Sequence, residues 1–266
     1  MDEKQQMLRN QQAWDAQTGA HVESEFYDVA SFKAGKNSLR PFEQEALGDV
    51  RGRSLLHLMC HFGLDTLSWA RLGAQVTGVD FSAESIAAAT ALAQELSIDA
   101  QFLQANVYEL PGELDGAFDF VVMTYGTLIW LPDLDGWARA AARCLKPGGT
   151  LFVADFHPTA MLFDDELALT RSYFRSGPTE REVKQTYAGE MDQPHIQTTW
   201  PWTVAKLVTA LGRAGLHVTR VDELPLDLRQ RHPLMTQDDA GFWRLPGDPV
   251  PLLLICQAVR PARSTP

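Results

Sequence analysis

A doubly wound α/β domain is the fold class this sequence predicts, and three observations carry the prediction. The stretch 54–82, SLLHLMCHFGLDTLSWARLGAQVTGVDFS, reads as strand, tight loop, helix and second strand, closing on an acid. After it, strand-like runs at 100–105, 118–123 and 150–154 alternate with helical patterns at 82–96 and 134–145. Finally, 266 residues suffice for one large α/β domain with insertions and a sizeable core. No repeat, low-complexity tract or linker divides it, so 1–266 is expected to be a single domain.

Residues 1–45 form a mostly helical lead-in holding Trp14, His21 and Tyr27. In the first unit, 54–58 is a short apolar strand and 59–64 a loop broken by Gly63. Leu67, Ala70 and Leu72 then fall at helical spacing, Gly73 stops the helix, and 75–79 is β-rich up to Asp80. Ser82 can cap an Ala-rich helix running to about Leu96. The strand at 100–105 ends on Asn106, Val107 and Tyr108. Segment 118–123 is apolar but for Asp119, as suits a central parallel strand. Leu134, Trp137, Ala138, Ala141 and Leu145 mark one buried helix face. Lys146-Pro147-Gly148-Gly149 turns into the strand at 150–154.

Beyond His157 the pattern changes. In 161–200, Tyr173, Phe174, Val183 and Tyr187 mix with Gly177, Pro178 and Gly189, which suggests short antiparallel strands. Thr203 caps a helix bearing Val204, Leu207, Val208 and Leu211, stopped at Gly215; 217–221 and 252–259 are the last strands. A connection as long as 222–251 is uncommon without a task such as serving as a lid.

Composition narrows the function. With 34 acidic against 23 basic residues, a net charge of −11 argues against sequence-independent nucleic-acid binding. The polar start MDEKQQMLRNQQ is unlike a secretory signal, and the apolar run 252–256 is too short to span a membrane. Cys60, Cys144 and Cys256 suit a reducing cytoplasm and no metal-binding spacing; no metal is expected.

A βαβ unit with a loop after its first strand and an acid after its second is a nucleotide site. Loop N–H groups and the helix N-terminus receive a negatively charged group, and the carboxylate accepts the ribose hydroxyls. A dinucleotide loop needs G-x-G-x-x-G, yet Met59 and His61 replace two of its glycines, and Asp65 would set negative charge beside a phosphate. No G-K-[ST] phosphate loop follows. A ribose acid beside a poor phosphate cradle suits S-adenosylmethionine (SAM), a nucleoside with no phosphate tail.

The segment resembles motifs I and II of the class I SAM-dependent methyltransferases, whose loop reads approximately D-x-G-C-G-x-G. It is closer still to a bacterial subfamily with L-H-L-x-C-H-F-G-L-D-T-L, matched here by H-L-M-C-H-F-G-L-D-T-L. His57, Met59 and His61 depart from the wider pattern. L-K-P-G-G-T-L-F-V resembles the family's turn and strand after motif IV, and the likeness runs from about Trp14 to the last strand. It implies a Rossmann-like, mostly parallel seven-stranded sheet with an antiparallel last strand. The insertions at 161–200 and 222–251, the former β-rich, would cover the active site.

The resemblance also implies residue roles. Met59, Cys60, His61 and Gly63 would present backbone to the methionine end, and Asp80 would bind ribose. Phe81 and Val107 would sandwich adenine, and Asn106 would accept the adenine amino hydrogen. Thr124 follows the fourth strand at the cofactor edge. Tyr27, Tyr125, His195 and Trp200 are candidates to contact substrate. His157, after the fifth strand and stiffened by Pro158, is the leading general base, with anchoring of the insertion as its structural alternative.

The expected activity is in-line transfer of methyl from SAM to a small-molecule O- or N-nucleophile. The absence of an N-P-P-Y motif at 124–127 disfavours planar amide and nucleobase nitrogen. Two rivals stand beside it: a catalytically silent protein binding SAM or S-adenosylhomocysteine (SAH), and, less compatible with the loop, an NAD-linked oxidoreductase.

Overall fold

In the computed structural model, which describes residues 2–262, three helices lead into the sheet: α1 (Glu3–Glu23), α2 (Val29–Lys33) and α3 (Pro41–Leu47). Strands and helices then alternate as β1 (Ser54–Leu58), α4 (Leu64–Arg71), β2 (Gln75–Asp80), α5 (Ala83–Glu95), β3 (Gln101–Gln104), β4 (Phe118–Thr124), α6 (Leu134–Cys144) and β5 (Leu145–Phe156). An antiparallel hairpin of β6 (Thr179–Thr186) and β7 (Gly189–Thr199) precedes α7 (Val204–Arg213) and β8 (His217–Leu224). A two-stranded piece, β9 (Thr236–Gln237) with β10 (Trp243–Arg244), interrupts the long connection to β11 (Leu253–Val259).

The main sheet has seven strands in the order β3-β2-β1-β4-β5-β11-β8, and only β11 runs against its neighbours. β4 is buried on both faces: Val121 and Met123 join the cluster around Trp137, Leu151 and Leu207, while Phe120 and Val122 face Leu55, Phe152 and Ile255. That two-sided burial is why its sequence reads as an unbroken apolar run. Two expected boundaries move. Leu145 opens β5 instead of closing α6, because Lys146–Gly149 folds into the strand as an irregularity where β4 pairing skips from Leu145 to Thr150. β8 continues to Leu224, since β11 pairs with it that far.

α1 is unusual in what it buries. Apart from Ala13, its inward face is Gln6, Asn10, Gln17, Thr18 and His21. Directional bonds hold it. Asn10 Nδ2 donates to the Thr198 carbonyl at 2.7 Å, and its Oδ1 accepts the Thr198 N–H at 2.8 Å. Gln11 Nε2 donates to the Phe81 carbonyl at 2.7 Å, and the Thr18 and Ser85 hydroxyls are 2.9 Å apart. The helix therefore bridges α5, the end of β2 and the hairpin.

Candidate functional site

The loop after β1 turns by left-handed backbone at alternate residues, with φ of 56° at Met59, 51° at His61 and 81° at Gly63. Two of these are not glycine, and such a conformation costs roughly 1–2 kcal/mol for an ordinary residue. At Gly63 a side chain is barred twice over: a Cβ there would lie 2.8 Å from the Phe102 ring. Cys60 is buried, its N–H bonded to the Val79 carbonyl, and burial pushes its thiol well above the ordinary value.

Asp80 ends β2 beside this loop. Its Oδ2 accepts the His61 N–H and its Oδ1 the Ser82 N–H, both at 2.9 Å. Burial pushes its pKa up to about 6 against the pull of those bonds. Each oxygen keeps acceptor capacity beyond its one N–H. Phe81 is half-buried next to it. Asn106 Oδ1 accepts the Tyr108 N–H at 3.1 Å in a local turn, and Val107 packs into the core around Trp137.

The His61 ring is fixed at both nitrogens, Nδ1 lying 2.9 Å from Ser85 Oγ and Nε2 2.9 Å from His21 Nδ1. The far nitrogen of His21 lies 3.1 Å from Thr186 Oγ1 in the hairpin. Burial lowers both histidines, His21 to about 4. Trp14 meets the His61 ring edge-on at 5.3 Å, and the Tyr27 hydroxyl is 2.5 Å from that of Tyr187 at the hairpin tip. This aromatic group joins α1, the β1 loop and the hairpin.

At the end of β4, Thr124 Oγ1 lies 3.3 Å from Asp65 Oδ2 and 3.4 Å from His57 Nε2. His57 Nδ1 is 2.8 Å from Thr66 Oγ1, and burial lowers this ring to about 4 with Asp65 opposing. Tyr125 packs between Phe42 and Phe156, and its hydroxyl is shut off from solvent without a hydrogen-bond partner. Glu43 is pushed up to about 8, mainly by burial and further by Asp65.

Asp155, fully buried in β5, organises the turn after β4, and no local sequence signal marks it. It accepts the N–H groups of Gly126, Thr127 and Leu128 at 2.7 to 2.8 Å, the Thr127 hydroxyl at 2.9 Å and the Phe156 N–H at 2.6 Å. His157 lines a small pocket with Gly126, Phe156, Tyr173 and Trp202, but both its ring nitrogens are engaged. Nδ1 is 2.7 Å from Thr159 Oγ1, and Nε2 is 2.8 Å from Glu223 Oε1 on β8. His195 lies opposite Val183 in the hairpin, away from the aromatic group, while Trp200 is buried with its backbone N–H on the Ile129 carbonyl at 2.8 Å. The connection 222–251 contributes Arg229 and Arg231, whose guanidinium groups stack on Tyr187 and Phe156. Among the described residues, no three His, Cys, Asp or Glu side chains cluster as metal ligands, and no helix is long and apolar enough to cross a membrane.

Residues 55–149 match the family model of a methyltransferase domain. Over 115 residues the chain is 37% identical to a ubiquinone biosynthesis O-methyltransferase of Xanthomonas oryzae pv. oryzae, an alignment covering 43% of this chain and 48% of that protein. The chain thus spans about half the length of that curated relative. Among solved structures, a SAM-dependent methyltransferase from Methanosarcina mazei superposes with a TM-score of 0.59 at 20% identity, covering 85% of this chain and 99% of that one. Burkholderia thailandensis 1,6-didemethyltoxoflavin-N1-methyltransferase, solved with 1,6-didemethyltoxoflavin and SAH, gives 0.54 at 19% identity over 97% of this chain and 89% of that one.

Proposed function

We propose that this chain, which has the fold of the class I SAM-dependent methyltransferases, transfers a methyl group from SAM to a small-molecule oxygen or nitrogen nucleophile. The observation that carries the reading is the β1 loop. Met59 and His61 stand where the family has glycine, yet both hold the left-handed backbone that glycine would adopt, beside a strand-end carboxylate. A strained loop that keeps this path without glycine points to a ligand requirement.

The residues present fit the cofactor. Asp80 has acceptor capacity left for the ribose hydroxyls, Phe81 and Val107 flank the adenine position, and Asn106 offers its amide there. The N–H groups of Cys60, His61 and Gly63 are bonded within the protein, so the loop from Met59 to Gly63 would offer backbone carbonyls to the methionyl ammonium, with Thr124 and Asp65 opposite. SAM brings an electrophilic methyl on a sulfonium. The protein's share is then alignment and exclusion of water, which for such a displacement supplies much of the acceleration. Tyr27, Tyr125 and Tyr187 would border the acceptor. α1, the hairpin and 222–251 would close over it, which favours a small molecule over a macromolecule. We assign His157 to positioning: it fastens the end of β5 to β8 through Glu223.

The test is calorimetry with SAM, SAH and NAD, followed by transfer of labelled methyl from SAM to a panel of phenols, amines and carboxylic acids. Binding of SAM and SAH but not NAD, with label transferred, is expected. NAD binding without SAM binding refutes the assignment, and SAM binding without turnover on any acceptor favours a silent binding protein.

A further inference from the structure

We propose that Arg229 binds a carboxylate at the ends of β4 and β5. The inference rests on the methyltransferase reading and extends it to the ligand's charge. Arg229 reaches in from the connection between β8 and β11, its guanidinium 4.6 Å from the Tyr187 ring centroid and 5.8 Å from that of Phe156. Among the described residues its guanidinium donates no hydrogen bond and has no carboxylate at ion-pair distance, and its Nε is closed to solvent.

Its neighbour explains why. Asp227, fully buried, spends Oδ1 on the Arg229 backbone N–H at 3.2 Å and Oδ2 on Arg231 Nε at 2.8 Å. The carboxylate of this loop thus fixes the backbone of one arginine and the head of the other, leaving the Arg229 fork unmatched. Arg231 stacks 4.0 Å above Phe156 and also has one buried donor, Nη2, without a partner. Aromatic faces soften the cost of holding these cations, but do not replace acceptors for their N–H groups. A buried unpaired donor costs about 1–3 kcal/mol, and a ligand carboxylate would supply the acceptor that Arg229 Nε lacks.

Carboxylate fits better than phosphate. A guanidinium fork can pair bidentately with either group, so charge decides between them. Asp65, beside Thr124 at the end of β4, would repel a doubly charged group more strongly than a single charge. Two molecules could carry the carboxylate, the methionyl tail of the cofactor and the acceptor itself.

The experiment separates them with Arg229→Gln and Arg229→Lys, each checked by thermal melting. Calorimetry compares SAH with 5′-methylthioadenosine, which keeps the nucleoside and sulfur but lacks the amino-acid carboxylate. SAH-saturated protein is then titrated with acetate, benzoate and decanoate against their neutral amides. If the cofactor supplies the group, Arg229→Gln weakens SAH roughly ten- to a hundredfold and leaves methylthioadenosine unchanged. If the acceptor supplies it, SAH binding is unchanged, and the wild type's preference for a carboxylate over its amide disappears in Arg229→Gln. Arg229→Lys retains part of either effect. The proposal is overturned if folded Arg229→Gln binds SAH like the wild type and no carboxylate is preferred by either, or if SAH and methylthioadenosine weaken equally. Wild-type protein that binds no SAH sinks the methyltransferase reading instead.

Discussion

Replacing Asp80 with alanine tests the cofactor site most directly. The carboxylate holds the His61 and Ser82 N–H groups at 2.9 Å each, one per oxygen, and in the proposed reading its remaining lone pairs accept two ribose hydroxyls. Hydrogen bonds to a charged group contribute about 1.5–3 kcal/mol each, so with water replacing part of the loss, Asp80→Ala should weaken SAH by roughly 2–4 kcal/mol. In dissociation constant this is a rise of about thirtyfold to a thousandfold. Calorimetry at pH 7.5, below the variant's melting temperature, measures it. The pH dependence adds an internal control. With the free carboxyl at about 6, SAH affinity should be flat above neutrality and fall with acid below about 6, and Asp80→Ala should abolish that fall. Stability runs the other way: a carboxyl raised by burial contributes fully below its ordinary 3.8, and that contribution is lost as pH rises through about 6. Unchanged SAH affinity in Asp80→Ala, or an acid dependence that survives in it, refutes the role assigned to this carboxylate.

Asp155→Asn should cost roughly 2–5 kcal/mol, read as a lowered denaturation midpoint, because it leaves one acceptor oxygen for N–H donors that Asp155 divides between two, at about 1–3 kcal/mol for each buried donor left unpaired. His157→Asn should lower the melting temperature and leave the pH profile of kcat in place; a loss of kcat of about a hundredfold or more that shrinks at high pH would make it the base. His21 sits at about 4 in the folded protein, so its contribution to stability is full above its ordinary 6.5 and is lost as pH falls through 6.5 towards 4. Melting temperature should drop between pH 7 and 5, and His21→Asn should flatten the drop; an identical slope in the variant would mean other groups govern it.

What the sequence revealed and what it hid divide along a physical line. The β1–α4–β2 unit and the runs of β4 and β5 are legible because burial on two faces and helical spacing are local signals. Asp80 is legible because it ends such a run. Met59 and His61 are harder: nothing in either side chain announces a left-handed backbone, and only the likeness of their neighbours to a glycine loop suggests it. Asp155 is hidden because its donors lie 27 to 29 residues earlier, in a turn whose own letters say little. His157 falls at the sheet edge its position suggests, but its ring is directed by Glu223, a partner 66 residues away on a strand that pairs only through β11.

The same line explains α1 and the insertions, which in the proposed reading cover the site. α1 shows little apolar patterning because its buried face is polar: Asn10, Thr18 and His21 each bond to another element. Such a face gains less from excluding water than a stripe of leucines would, since each bond formed replaces bonds to solvent and yields only about 0.5–1.5 kcal/mol net. The hairpin meets α1 through Asn10 and His21, and Tyr27 and Arg229 meet the hairpin at Tyr187. In the proposed reading the ligand lies beneath these contacts. The chemistry that selects it is carried by those polar tips, whose meeting the fold determines and no local motif records.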